Sequence, residues 1–265
     1  MLMFAPAAQK LAALASRRNS EWAINTKFLY ENELPSLQVS ILNRPQVMLL
    51  LHRFLDPSVV SLKICGVTLQ HEALDLVKLK VDALGFNFWP QSKRHLPEPD
   101  AAWLKDLEGE ILRVGVFVNQ PLDFAIRLFH ESMIDIVQLH GDETPLMART
   151  LRAAEVPFIK ALGVSAKVDF GHAADFGAAA ILLDTHAPGI YGGTGEIFDW
   201  NVAQDFANAH PALPLILAGG ITPENAAHAA AAVHPVALDI ASGAEISPGI
   251  KDYKKVSALL AALKR

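Results

Sequence analysis

One cysteine, Cys65, stands in 265 residues, which excludes a disulfide framework and any zinc site built from several thiolates. A reducing compartment fits that count. No apolar run approaches the roughly 18 residues of a membrane-spanning helix, and the stretch Val47 to Leu51 is cut by His52 and Arg53. Positive charge is not in excess: 23 Lys and Arg against 28 Asp and Glu give a formal net charge of −5, without the basic face that nucleic-acid binders carry. No G-x-G-x-x-G follows the first strand-like run, which argues against a dinucleotide fold, and no internal repeat is present. Hydrophobic residues, in contrast, make up 51% of the chain and charged ones 19%. That is ample for a large core and excludes disorder of the whole chain.

From residue 59 onward, strand-like and helix-like patterns alternate. Strands are expected at 59–64, 83–89, 112–118, 134–139, 158–161, 178–183, 214–218 and 236–241. Helical patterns fall between them at 68–79, 101–107, 122–133, 145–154, 168–176, 201–209 and 223–233, and 253–263 closes the chain. Eight such alternations predict an α/β protein with a (β/α)8 TIM barrel over residues 59–265. A doubly wound open sheet is the rival. It is disfavoured because polar residues follow several strands rather than lining one crevice. Residues 1–58 stand outside the alternation and are read as an N-terminal extension. Lys10, Arg17 and Arg18 precede any acid, as in a transit peptide, whereas Pro6, Gln9 and Lys10 break a secretory signal. The preferred reading is translated upstream sequence with the true start at Met48, because an ordered core needs more regular patterning.

Chemistry is expected where the strands end. Cys65 follows the run Val59 to Ile64, and Asp184 closes Ala178 to Leu183 in the same way. Two acid–base groups at carboxyl ends of strands suggest one shared site. Ala218-Gly219-Gly220 and Ala241-Ser242-Gly243 end the last two strands, where barrels commonly cradle a phosphate with backbone N–H groups. Gly192-Gly193-Thr194-Gly195 suits either a covering segment or a solvated loop. Arg94 offers a planar fork for a carboxylate or faces solvent. His140 lines the pocket or packs, and Asp239, an acid inside an apolar run, is a brace or a substrate contact.

These residues together resemble the phosphoribosylanthranilate isomerase family of tryptophan biosynthesis. The blocks that carry the resemblance run in the family's order: Lys63-Ile64-Cys65-Gly66-Val67-Thr68, Leu84 to Pro90, Val114 to Asn119, Val137-Gln138-Leu139-His140-Gly141-Asp142, Leu182 to Thr185, Gly192 to Gly195 with Phe198-Asp199-Trp200, Leu217 to Ile221, and Asp239 to Glu245. Trp89 stands where tyrosine is usual, and Ala241 replaces a common serine. The resemblance implies an Amadori rearrangement of N-(5-phosphoribosyl)anthranilate, with Asp184 as general acid and Cys65 as general base. It further implies that Arg94 binds the anthranilate carboxylate, that Gly219, Gly220, Ser242 and Gly243 hold the phosphate, and that His140 and Asp239 line the pocket. No metal or organic cofactor is implied. The expected partner is a small phosphorylated substrate, with no nucleic acid or membrane, for a monomer or homodimer in the cytoplasm. Two other readings stay open: an aldolase-like or indole-forming phosphate barrel, with Lys63 or Lys160 as candidate Schiff-base amine, and a non-catalytic binder of phosphorylated ligands.

Overall fold

The apolar runs become eight short parallel strands that close on themselves. The computed structural model describes residues 44–164, 170–185 and 199–264. Its barrel strands are β1 (Ser61–Cys65), β2 (Ala83–Asn87), β3 (Leu112–Phe117), β4 (Ile136–Leu139), β5 (Phe158–Val164), β6 (Ala180–Thr185), β7 (Leu215–Leu217) and β8 (Ala237–Ile240). Each pairs with the next, and β8 pairs back onto β1 with Lys63 opposite Asp239, so the expected barrel is observed. The helices are α1 (Pro45–Phe54), α2 (Gln70–Lys78), α3 (Leu122–His130), α4 (Pro145–Ala153), α5 (Trp200–Ala209), α6 (Ala226–Val233) and α7 (Tyr253–Ala262). Short 3-10 turns, Glu98–Asp100 with Ala102–Leu107 and Ala173–Phe176, stand where helices were expected after β2 and β5. The Gly192 to Gly195 loop and the extension before residue 44 lie outside the described residues.

Parallel strands covered on both faces are apolar on both faces. Leu62, Ile64, Leu84 and Phe86 point outward to the helices, while Ala83, Leu112, Val114, Ile136, Ile159 and Leu182 fill the barrel. Because side chains alternate along a strand, the next inward positions after that filling are Cys65, Gly85, Gln138 and Asp184. The interior thus changes from hydrocarbon to polar groups toward the carboxyl ends of the strands, and this change makes the mouth a site.

The opposite end is closed by α1, an ordered helix inside the 1–58 segment that stands outside the strand–helix alternation. Its Val47, Leu51 and Phe54 are buried at i, i+4 and i+7, one stripe of an amphipathic helix. Leu51 and Phe54 join the apolar cluster inside the barrel, and Phe54 is fully buried. Pro45 begins the helix, where the missing N–H costs nothing. Arg44, just before it, bonds Glu108 at 2.8 Å and Asp135 at 2.5 Å. Asp135 also receives the wholly buried guanidinium of Arg113 at 2.6 Å.

Two local departures matter near the mouth. The helix expected from Pro223 begins at Ala226, because Asn225 spends its side chain backward, accepting from Thr222 N at 2.8 Å and donating to Gly220 O at 3.0 Å. After β8 the chain forms an antiparallel pair, β9 (Glu245–Ser247) with β10 (Ile250–Lys251), that no pattern announced.

Candidate active site

Lys63 and Cys65 are two residues apart on β1 and therefore share its inward face. A side chain added at Gly85, the register partner of Cys65 on β2, would place its first carbon 2.7 Å from Cys65 Sγ and 3.1 Å from Lys63 Nζ. Glycine leaves that space to the thiol and the ammonium, which are neighbours over it. Lys63 Nζ donates to both carboxylate oxygens of Asp239, at 2.9 and 2.8 Å, with no exposure of the lysine. Burial alone would push the lysine down; Asp239 and Cys65 outweigh it and hold the ammonium above its ordinary range. A lysine gripped this way is not a free amine nucleophile. Lys160, the other aldolase candidate, alternates with inward Ile159 and Ala161. It binds Glu143 at 2.8 Å and Gly141 O at 2.6 Å, in the loop beyond β4.

Burial pushes the Cys65 thiol up, Asp239 adds to the rise, and Lys63 and Lys251 pull it back. Lys251 reaches from β10 to donate to Cys65 O at 2.5 Å and Glu245 at 2.7 Å. Glu245 also receives Arg94 through Nε at 2.8 Å and Nη2 at 2.7 Å. Burial would raise the Glu245 carboxyl, but Arg94 and Lys251 together hold it below its ordinary range. Three cations, Lys63, Arg94 and Lys251, thus meet two carboxylates, Asp239 and Glu245, around one sulfur. A thiolate there would supply a third negative charge, although burial holds the thiol above its ordinary range.

Asp184 ends β6 on the same rim. Its Oδ1 accepts from Thr185 N at 2.8 Å, and its Oδ2 lies 3.3 Å from His140 Nε2. His140 Nδ1 is 2.8 Å from Gln138 Nε2. The loop carrying His140 is tied down by Glu143, which accepts from Asn119 N, Gly141 N and Lys160 Nζ.

The glycines of the last two strands form one cradle. Gly219 and Gly220 have φ of +85° and +61°, a backbone that L side chains rarely adopt. A side chain at Gly219 would press on Thr185 and on Asp184 Oδ1 at 3.0 Å, and one at Gly243 would overlap the Ile221 carbonyl. The loops after β7 and β8 therefore touch through bare backbone. Ser242 and Gly243 open a 3-10 turn (Ser242–Ala244), whose first N–H groups have no partner within it.

The structure thus gathers Cys65, Asp184, His140, Asp239 and the four cradle residues at the carboxyl-end mouth, with Arg94 at its edge against Glu245. Gln138, Glu245 and Lys251 were not singled out from sequence. Gln138 was accessible through its i, i+2 spacing to His140; the other two sit in the unannounced β9–β10 pair.

A closed parallel barrel that brings a thiol, a carboxyl and two glycine loops to its carboxyl-end mouth defines a (β/α)8-barrel enzyme. The chain belongs to the N-(5'-phosphoribosyl)anthranilate isomerase family, whose sequence model matches residues 62–262. It is 41% identical over 206 residues to the N-(5'-phosphoribosyl)anthranilate isomerase of Citrifermentans bemidjiense, covering 77% of this chain and 97% of that protein. The crystal structure of phosphoribosyl anthranilate isomerase from Thermus thermophilus superposes with a TM-score of 0.69 at 37% identity, covering 77% of this chain and 98% of that one. A phosphoribosyl anthranilate isomerase in complex with reduced 1-(o-carboxyphenylamino)-1-deoxyribulose 5-phosphate gives 0.67 at 34% identity, covering 78% and 99%. Helix α1 precedes the matched segment.

Proposed function

We propose that Asp184 and Cys65 are the acid and base of the family's reaction, the isomerisation of N-(5'-phosphoribosyl)anthranilate to 1-(2-carboxyphenylamino)-1-deoxyribulose 5-phosphate in tryptophan biosynthesis. Protonated Asp184 gives its proton to the furanose ring oxygen. The bond from that oxygen to C1′ breaks as the anthranilate nitrogen lone pair forms the Schiff base. The Cys65 thiolate then takes the C2′ proton, and the freed electron pair becomes the C1′=C2′ bond of an enol amine, discharging the nitrogen. The enol O–H proton leaves to solvent and C1′ takes a proton from solvent, which gives the ketone; Cys65 then releases its proton to solvent and Asp184 regains one for the next turnover. The observation that carries this reading is that an inward thiol on β1 and an inward carboxyl on β6 share one rim. Each positioned acid or base contributes about 10²–10⁴-fold in such reactions.

Gly219, Gly220, Ser242 and Gly243 receive the phosphate through backbone N–H groups. Arg94 commits Nε and Nη2 to Glu245, so we assign the Nη1 edge of its fork to the anthranilate carboxylate. Asp239 acts at the site through Lys63, and His140 through Asp184. The Schiff base forms within the substrate, so no cofactor enters the scheme. We further infer a cytoplasmic enzyme, monomeric or homodimeric. No described helix is long and apolar enough to cross a membrane.

Loss of the fluorescent anthranilate substrate measures turnover directly. Asp184→Asn and Cys65→Ala are expected to cut kcat by about 10²-fold or more with little change in substrate affinity. Arg94→Ala is expected to weaken binding chiefly. A wild-type rate in either of the first two variants refutes the role given to that residue.

A further inference from the structure

The carboxyl assigned as general acid is backed by a second layer of inward side chains. Gln138 and His140 follow Ile136 at alternate positions of β4 and its carboxyl end, so they point into the barrel beside Asp184 of β6. The three groups stand in line, with Gln138 Nε2 2.8 Å from His140 Nδ1 and His140 Nε2 3.3 Å from Asp184 Oδ2. Gln138 is fully buried, and its Oε1 has no hydrogen-bond partner.

We propose that Gln138 is a positioning residue that keeps His140 neutral, with its proton on Nε2, so that Asp184 retains the proton it delivers to the sugar ring. The inference rests on the assignment of Asp184 as the acid. In this orientation the Gln138 NH2 meets His140 Nδ1 and Oε1 is the atom left without a hydrogen-bond partner. Turning the amide over would bury an unpartnered NH2 in place of an unpartnered carbonyl, and orphaned donors are the rarer of the two. With the NH2 facing Nδ1, that nitrogen must offer its lone pair, because an N–H there would meet another donor at 2.8 Å. The bond made at one ring nitrogen fixes the proton at the other. That arrangement disfavours both the imidazolium and the Nδ1–H tautomer, and leaves Nε2–H to face Asp184.

The consequence is electrostatic. An imidazolium 3.3 Å from Asp184 would favour the carboxylate and leave the acid without a proton. A neutral N–H donor carries no such charge. Its bond to Oδ2 strengthens only as negative charge appears on Asp184, when the proton moves to the ring oxygen. Thr185 N does the same at Oδ1. Both interactions grow toward the transition state, which is the condition for raising kcat rather than tightening substrate binding.

The test is 15N NMR of the full chain labelled at its ten histidines, with His140→Gln assigning the signal. At neutral pH the His140 Nδ1 is expected to resonate as a bare, pyridine-like nitrogen and Nε2 as a protonated, pyrrole-like one. Gln138→Glu sets an acceptor at Nδ1 and is expected to protonate that nitrogen. Its kcat should fall about 10- to 100-fold with KM within about threefold. An Nδ1–H or imidazolium signal in the unaltered protein overturns the proposal without needing any Gln138 variant to fold. So does a Gln138→Glu enzyme that keeps its kcat. Asp184→Asn separates the two levels: if it turns over normally the acid assignment fails, and if it is inactive while Gln138→Glu is normal only the role of Gln138 fails.

Discussion

The reactivity of Cys65 is set by opposing effects that a sulfur in isolation would not face. Burial raises the thiol, while Lys63 and Lys251 favour the thiolate; the net direction is upward, so the thiolate fraction grows as pH rises above neutrality. Because this is the chain's one thiol, alkylation by iodoacetamide reads it alone. Its rate is expected to lag that of a free thiol at pH 7 and to climb through the alkaline range; a rate plateau reached below pH 7 would show a thiolate already formed. Lys63→Met removes the positive partner of both sulfur and Asp239. Breaking a buried pair from one side costs about 3–5 kcal/mol, so the variant is expected to unfold at lower urea and, where folded, to turn over more slowly. Cys65 and Asp184 were legible in sequence because each ends an apolar run. The pairing of Lys63 with Asp239 was not, since it depends on β8 closing against β1 across most of the chain, a contact that no local pattern encodes.

Elements were legible where one period dominated. The strand at 112–118 is observed as Leu112–Phe117 and the helix at 145–154 as Pro145–Ala153, since valine-rich runs and an amphipathic stripe each point one way. Elsewhere individual side chains outvote period. Asn225 turns back on Gly220 and shortens α6, and Glu245 and Lys251 organise β9 and β10 around Arg94 and Cys65. Helix α1 was missed for another reason: its apolar stripe is only three residues long, and its partner surface is the barrel floor, assembled from strands distant in sequence. Phe54→Ala tests that partnership. Truncating a fully buried phenylalanine costs about 3–5 kcal/mol. A fall in Tm with near-normal kcat in the folded enzyme is expected, because Phe54 packs at the end opposite the mouth. An unchanged Tm would mean that α1 contributes nothing to the fold.

At the scale of the molecule, stability and chemistry occupy opposite ends of one cylinder. The mouth concentrates left-handed glycines and the charges around Cys65, arrangements that cost free energy, while the floor below it is hydrocarbon covered by α1, which Arg44 ties to Glu108 and Asp135. We propose that residues before α1 are dispensable and that α1 is not. A graded result is expected when three forms of the chain are placed in a strain lacking this isomerase. The full chain is expected to restore growth without tryptophan. A form starting at Met48 loses Arg44 and Val47 but keeps Leu51 and Phe54 in the barrel; growth is expected, with a lower Tm in the purified protein. A form starting at Val59 loses the plug altogether and exposes the apolar floor to water. At roughly 25 cal/mol per Å² of apolar surface, uncovering it removes a large share of a marginal net stability, and little soluble enzyme and no growth are expected. Vigorous growth of that shortest form would show that the barrel closes its own floor, and that α1 is an ornament rather than a part of the fold.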